Sequence, residues 1–180
     1  MYRSTGLLTA LTLFCGAASA DPLQGTRTVY LQDAGGTVSI AVAEIRFGPD
    51  GYTVTMADAP FSDHFLSMRP FKCLDGPERQ LCHVPYPYEI RRQVLAEDLT
   101  DLEYDFLFLW KAAGDYGINM WNGVYYDMAV DGARVVGQLH EVNLGQLAVP
   151  PPPGTLRPLG PDDLEPGDPG SHWLPRLVIE

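Results

Sequence analysis

Val124-Tyr125-Tyr126-Asp127-Met128-Ala129-Val130-Asp131-Gly132 is the stretch that decides the fold class. Val124, Tyr126, Met128 and Val130 alternate with Tyr125, Asp127 and Ala129, the period-two pattern of a strand with two unlike faces. Asp131-Gly132 is a preferred pair for a tight hairpin turn, because glycine accepts a positive φ. Residues 133–142 are therefore predicted to return as the partner strand.

The same grammar recurs upstream. Residues 37–47 and 52–57 are rich in β-branched and aromatic side chains and flank Gly48-Pro49-Asp50-Gly51, where proline presets the turn. Residues 29–32, before Ala34-Gly35-Gly36, read as a further strand. Phe71-Lys72-Cys73 and residues 81–84 form a third pair around Asp75-Gly76-Pro77. Hairpins in this number predict a mainly β domain over residues 21–149, a small antiparallel barrel or sandwich with one helix.

The helix is expected in the middle of the chain. Thr100-Asp101-Leu102-Glu103 fits a capping box, and Leu99, Leu102, Phe106 and Leu109 follow helical spacing. Tyr104, Phe106, Phe108 and Trp110 also alternate with Asp105, Leu107 and Leu109, which suits a strand. A helix from Thr100 is the favoured reading.

Beyond Val149 the composition changes. The four prolines at 150–153 exclude a helix interior or a central strand. Residues 150–170 read as a proline- and glycine-rich acidic loop carrying Asp162, Asp163, Glu165 and Asp168. Residues 171–180 turn apolar again through Trp173, Leu174, Leu177, Val178 and Ile179, and are predicted to dock on the chain's own domain or on a partner.

Residues 1–20 carry an address. Arg3 precedes a short apolar run at 7–14, and Ala18-Ser19-Ala20 has the small-x-small form that a signal peptidase reads. Cleavage before Asp21 is predicted, with the periplasm or full secretion as destination. The run is far shorter than the roughly 20 residues of a membrane span. Loss of Cys15 with the leader reduces three cysteines to two, Cys73 and Cys82. In an oxidising compartment this pair is expected to form a disulfide across a turn.

With 23 acidic against 12 basic residues, the net charge is −11. Removing Arg3 makes it more negative still. Nucleic acid and anionic lipid need Lys/Arg patches, and Arg91-Arg92 is only an isolated pair. Nucleic-acid partners are thereby excluded.

Catalytic and metal patterns are sparse. His64, His83, His140 and His172 make no His-x-x-x-His or His-x-His pair, so neither a metal nor a cofactor is implied. His140 and Glu141 are neighbours on a predicted strand and point to opposite faces. The acidic cluster 162–168 lacks the ligand spacing of a calcium loop. Ser62 and Ser67 beside Asp63-His64 make a local grouping, whereas triads are assembled from distant segments.

The one enrichment that suggests function is aromatic. Tyr104, Phe106, Phe108, Trp110, Tyr116, Trp121, Tyr125 and Tyr126 crowd one stretch, and the loop from Gly114 to Gly123 carries Tyr116 and Trp121 among Gly and Asn residues. Aromatics combine large apolar area with a polar tip and recur at binding surfaces. Tyr116, Trp121, Tyr125 and Trp110 are the candidate ligand- or partner-contacting residues. The expected function is an exported module that binds a small molecule, a glycan or an envelope protein. An accessory subunit of an envelope complex and a periplasmic enzyme are the alternatives.

Overall fold

The hairpin grammar produces one continuous antiparallel sheet. The computed structural model describes residues 21–67 and 70–180, so the leader expected at 1–20 lies outside the described residues. Strands β1 (Gly25–Gln32), β2 (Ser39–Gly48) and β3 (Gly51–Met56) come first, followed by β4 (Ser62–Phe65), β5 (Pro70–Asp75) and β6 (Arg79–His83). Helix α1 (Thr100–Asp105) precedes β7 (Phe108–Ala112), β8 (Gly123–Asp131) and β9 (Arg134–Val142). β10 (Leu164–Pro166) and β11 (Arg176–Ile179) complete the chain. The order is β3-β2-β1-β11-β9-β8-β7-β6-β5-β4, with β10 also on β9. The sheet curls into an antiparallel half-barrel with a single helix.

Strand alternation sorts the core into two layers. Val124, Tyr126 and Met128 of β8 share a cluster with Leu74, Leu81, Phe108, Val29, Leu31, Ile45 and Leu177. Leu102 of α1 and Phe106, which follows the helix, join it. Residues of the opposite parity, Cys73, Cys82, Leu109 and Tyr125, form a second cluster with Tyr104, Leu144 and Leu159. The register sets Cys73 opposite Cys82, and the two are joined by a disulfide with both residues fully buried.

The helix-or-strand ambiguity resolves into both. α1 ends at Asp105 and β7 begins at Phe108. A strand sends Phe108 and Leu109 to opposite faces, and each face has its own core to receive one of them. The capping box does not form: the N-cap is Leu99, without a side-chain cap. Asp98 accepts the Thr100 N–H at 3.2 Å instead. Asp101 and Glu103 are both buried and bond elsewhere.

The C-terminal segment is a central strand. β11 pairs β1 on one side and residues 135–138 of β9 on the other. Leu174, Leu177, Val178 and Ile179 are buried. The acidic segment before it is more than loop, because β10 extends the same edge of β9 by pairing with His140, Glu141 and Val142.

Prolines cannot donate, so part of the proline-rich arm's anchoring falls to carbonyls that accept from tyrosine hydroxyls. The hydroxyl of Tyr86 donates to the Leu156 carbonyl at 2.9 Å. That of Tyr104 bonds both the carbonyl and the N–H of Leu159. Among the described residues, no helix is long and apolar enough to cross a membrane.

Candidate functional site

A cleft of about 820 Å³ opens where three connecting segments meet. One wall is the β2–β3 turn with Pro49, Asp50 and Gly51. A second is the segment from Arg91 to Asp98, and the third is the arm at Gly154–Arg157. Leu23, Phe47, Val94, Leu95 and Leu156 supply its apolar surface. Leu95 is 61% exposed there.

An ion-paired latch holds the arm in place. The Arg157 guanidinium donates from Nε to Asp101 Oδ1 at 2.7 Å and from Nη1 to Asp98 at 2.8 and 3.0 Å. Asp101 is 1% exposed and also accepts the Gln93 N–H at 3.1 Å. A buried carboxylate needs such partners, since isolated charge in the interior is costly. The guanidinium beside Asp98 holds its carboxyl below the usual range.

A second knot shapes the facing wall. Arg92 adopts φ +53°, unusual for a residue other than glycine. Its carbonyl accepts the Tyr52 N–H at 3.1 Å. Its guanidinium reaches Asp105 through Nε at 3.3 Å and Nη2 at 3.1 Å, and the Tyr52 hydroxyl donates to the same carboxylate at 2.9 Å. Burial, and then the Asp105 charge, push the Tyr52 hydroxyl well above its ordinary pKa. The approach is so close that a Cβ on Gly51 would lie 2.4 Å from the Arg92 carbonyl oxygen. The two neighbouring arginines part here: Arg92 is tied into the fold and Arg91 lines the cleft.

The four aromatic residues singled out by sequence do not come together. Tyr116 is fully exposed and Trp121 is 75% exposed. Their loop is pinned beneath them: Asn119 Oδ1 accepts the Trp121 N–H at 3.1 Å, and Asn122 Nδ2 donates to the Trp110 carbonyl at 3.3 Å. Ile118 and Met120 pack on the second core cluster. Tyr125 is buried, with its hydroxyl donating to Glu103. Trp110 packs against the main core with the Arg79 guanidinium 4.2 Å above its ring. Only Tyr116 and Trp121 are available to a partner. The reason is strand parity, which turns Tyr125 and Trp110 toward the two core layers.

The serine–histidine grouping takes another form. His64 Nε2 meets Asp75 Oδ1 at 3.1 Å, while Asp63 pairs with Lys72 at 3.3 Å. Partial burial raises the Asp75 carboxyl, but hydrogen bonds from Gln80, Ser62 and His64 outweigh it and leave it below its ordinary value. His64 is thus paired with Asp75 and Gln80, and among the described residues no hydrogen bond joins its imidazole to a serine hydroxyl, as an activated nucleophile would need. Gln80 links this group to the buried Lys111, whose Nζ donates to Gln80 Oε1 at 3.1 Å and to the Ala112 carbonyl at 3.0 Å.

Among the other histidines, His83 is buried and bonds the Asp105 carbonyl at 3.0 Å. Burial lowers its pKa. His172 pairs with Glu141 at 2.7 Å. Among the described residues, no three His, Cys, Asp or Glu side chains gather as a metal site.

Sequence reasoning missed the cleft, because its three walls come from segments 40 or more positions apart. The only local signals were the Pro-Asp-Gly turn and the isolated Arg91-Arg92 pair. No family model, curated protein or solved structure matches this chain.

Proposed function

We propose that this chain is a non-catalytic binding module of an oxidising, extracytoplasmic compartment, and that the cleft holds its ligand. The observation that carries the reading is the cleft itself. Its volume of about 820 Å³ suits a small molecule. Its lining joins an apolar wall to a few charged groups, the usual composition of a recognition site. Periplasmic residence after cleavage before Asp21 is part of the same proposal, and the buried Cys73–Cys82 disulfide supports an oxidising environment.

The exposure of Tyr116 and Trp121 favours a second reading, in which the aromatic loop recognises a glycan or an envelope protein. An accessory subunit docking through its apolar C-terminal segment would need that segment free, but it is buried between β1 and β9. An enzymatic alternative would look to His64 and Asp75, yet the imidazole of that pair bonds Asp75 and Gln80 rather than a hydroxyl nucleophile.

The test is a thermal-shift panel of fatty acids, hydrophobic dipeptides and oligosaccharides, run on the exported protein and on Thr155→Trp. Thr155 is an exposed lining residue where a large side chain fills the cleft without entering the core. Ligand that binds only the folded state raises the midpoint by mass action. One class should stabilise the wild type and not the variant. Equal stabilisation of both, or none of either, overturns the cleft as the ligand site.

A further inference from the structure

The charges that line the cleft divide into a satisfied set and an unsatisfied pair. Arg157, Asp98 and Asp101 are consumed by the latch. Arg91 and Asp50 line the same cleft, and among the described residues neither side chain has a hydrogen-bond or ion-pair partner. No ion pair joins them, although they flank one tight contact: Gly51, next to Asp50, abuts the carbonyl of Arg92, next to Arg91. The positive φ of Arg92 creates this arrangement, sending its own guanidinium to Asp105 and leaving Arg91 at the cleft. Strained backbone that persists at a cavity wall is held by its surroundings, here by Asp105 and Tyr52.

We propose that the cleft takes a small apolar zwitterion such as a hydrophobic dipeptide, its carboxylate on Arg91, its ammonium on Asp50 and its side chains on Val94, Leu95 and Leu156. This rests on the cleft being the ligand site.

Charge bookkeeping separates the zwitterion from its rivals. A simple anion meets three carboxylates in the lining and a protein of net charge −11. A simple cation leaves Arg91 without a counter-charge. A ligand with both charges and no net charge meets an opposite partner at each end and feels little of the overall repulsion. Leu95, a large apolar side chain left mostly in solvent beside these charges, gains cover when such a ligand binds.

Calorimetric titration with four probes tests the assignment: Leu-Leu, N-acetyl-Leu-Leu, Leu-Leu-amide and the doubly blocked N-acetyl-Leu-Leu-amide. The free dipeptide should bind tightest. Arg91→Gln should weaken it by about five- to tenfold, as for loss of a charge-assisted hydrogen bond, and should leave Leu-Leu-amide unchanged. Asp50→Asn should weaken the free dipeptide and leave N-acetyl-Leu-Leu unchanged. Both substitutions lie on exposed positions, so folding is retained.

If the doubly blocked probe binds as tightly as Leu-Leu, the end charges carry nothing and the assignment is overturned, while the cleft stands. If a fatty acid or oligosaccharide binds in a Thr155→Trp-sensitive way and no dipeptide does, the result is the same. If no probe of any class binds, the cleft reading and this assignment fall together.

Discussion

The Oε1 atom of Glu103 accepts the backbone N–H of Met128 at 2.7 Å, so a helix side chain completes a ladder that strand β7 leaves open. β7 pairs β8 only at Phe108↔Val124 and Leu109↔Gly123. Beyond that point the chain preceding β7 is α1, and Met128 would otherwise bury an unpaired donor. Tyr125 donates to the same carboxylate from the second core layer. Glu103 therefore ties α1, β8 and both cores together. Removing it by Glu103→Ala should cost about 2–4 kcal/mol by orphaning two buried donors. Glu103→Gln, which keeps an acceptor, should cost less. Denaturant titration of the two variants measures the difference.

Two buried groups give the stability opposing pH dependences. Burial raises the Glu103 carboxyl, against the hydrogen bonds from Tyr125 and Met128. The native state thus holds this proton more tightly than the unfolded chain, and stability declines as pH rises from 4.5 through the native value. Burial lowers His83 from 6.5, so stability declines as pH falls from 6.5 toward its native value. Glu103→Gln should remove the first slope and His83→Asn the second. Denaturation midpoints at about pH 7.5, 5.5 and 4.5 check this, and slopes unchanged from wild type would contradict both assignments.

The Arg157 latch makes the arm's attachment depend on acid. Asp98 has its carboxyl lowered by Arg157, so its contribution is present above pH 3.8 and is lost as pH falls through the native value. Arg157→Ala should cost about 2–4 kcal/mol, because it leaves the Asp101 carboxylate buried without its cation. Amide exchange at residues 154–160 should rise in the variant well before that of β8 and β9. Equal protection in variant and wild type would contradict the latch.

Exposure separates the aromatic candidates. Tyr116→Ala and Trp121→Ala should change stability by no more than about 0.5 kcal/mol. Tyr125→Ala should cost about 3–5 kcal/mol, because it opens a cavity and strips Glu103 of a partner. If Trp121→Ala instead weakens capture of an envelope glycan while leaving the melting midpoint in place, the loop reading gains over the cleft.

Sequence alone determined the parts of this protein that are local. Alternation at Val124–Val130 with Asp131-Gly132 specified the β8–β9 hairpin, because a period of two and a turn that needs positive φ admit few other folds. Cys73 and Cys82 announced their bridge through spacing and turn chemistry. Exposure of Tyr116 and Trp121 followed from a Gly- and Asn-rich loop. The tertiary structure decided everything that depends on distant partners. Residues 104–110 carried helical and strand periods at once, and only the presence of two core layers divided them between α1 and β7. Asp101 and Glu103 resembled a cap, yet Arg157, Tyr125 and Met128 offered better partners than the helix end. Arg176-Leu177-Val178-Ile179 near the C-terminus became a central strand because β1 and β9 left a gap of one strand between them. The cleft appeared only when the segments carrying Asp50, Arg91 and Arg157 were brought around one cavity, since a cavity between segments far apart in sequence has no local pattern to betray it.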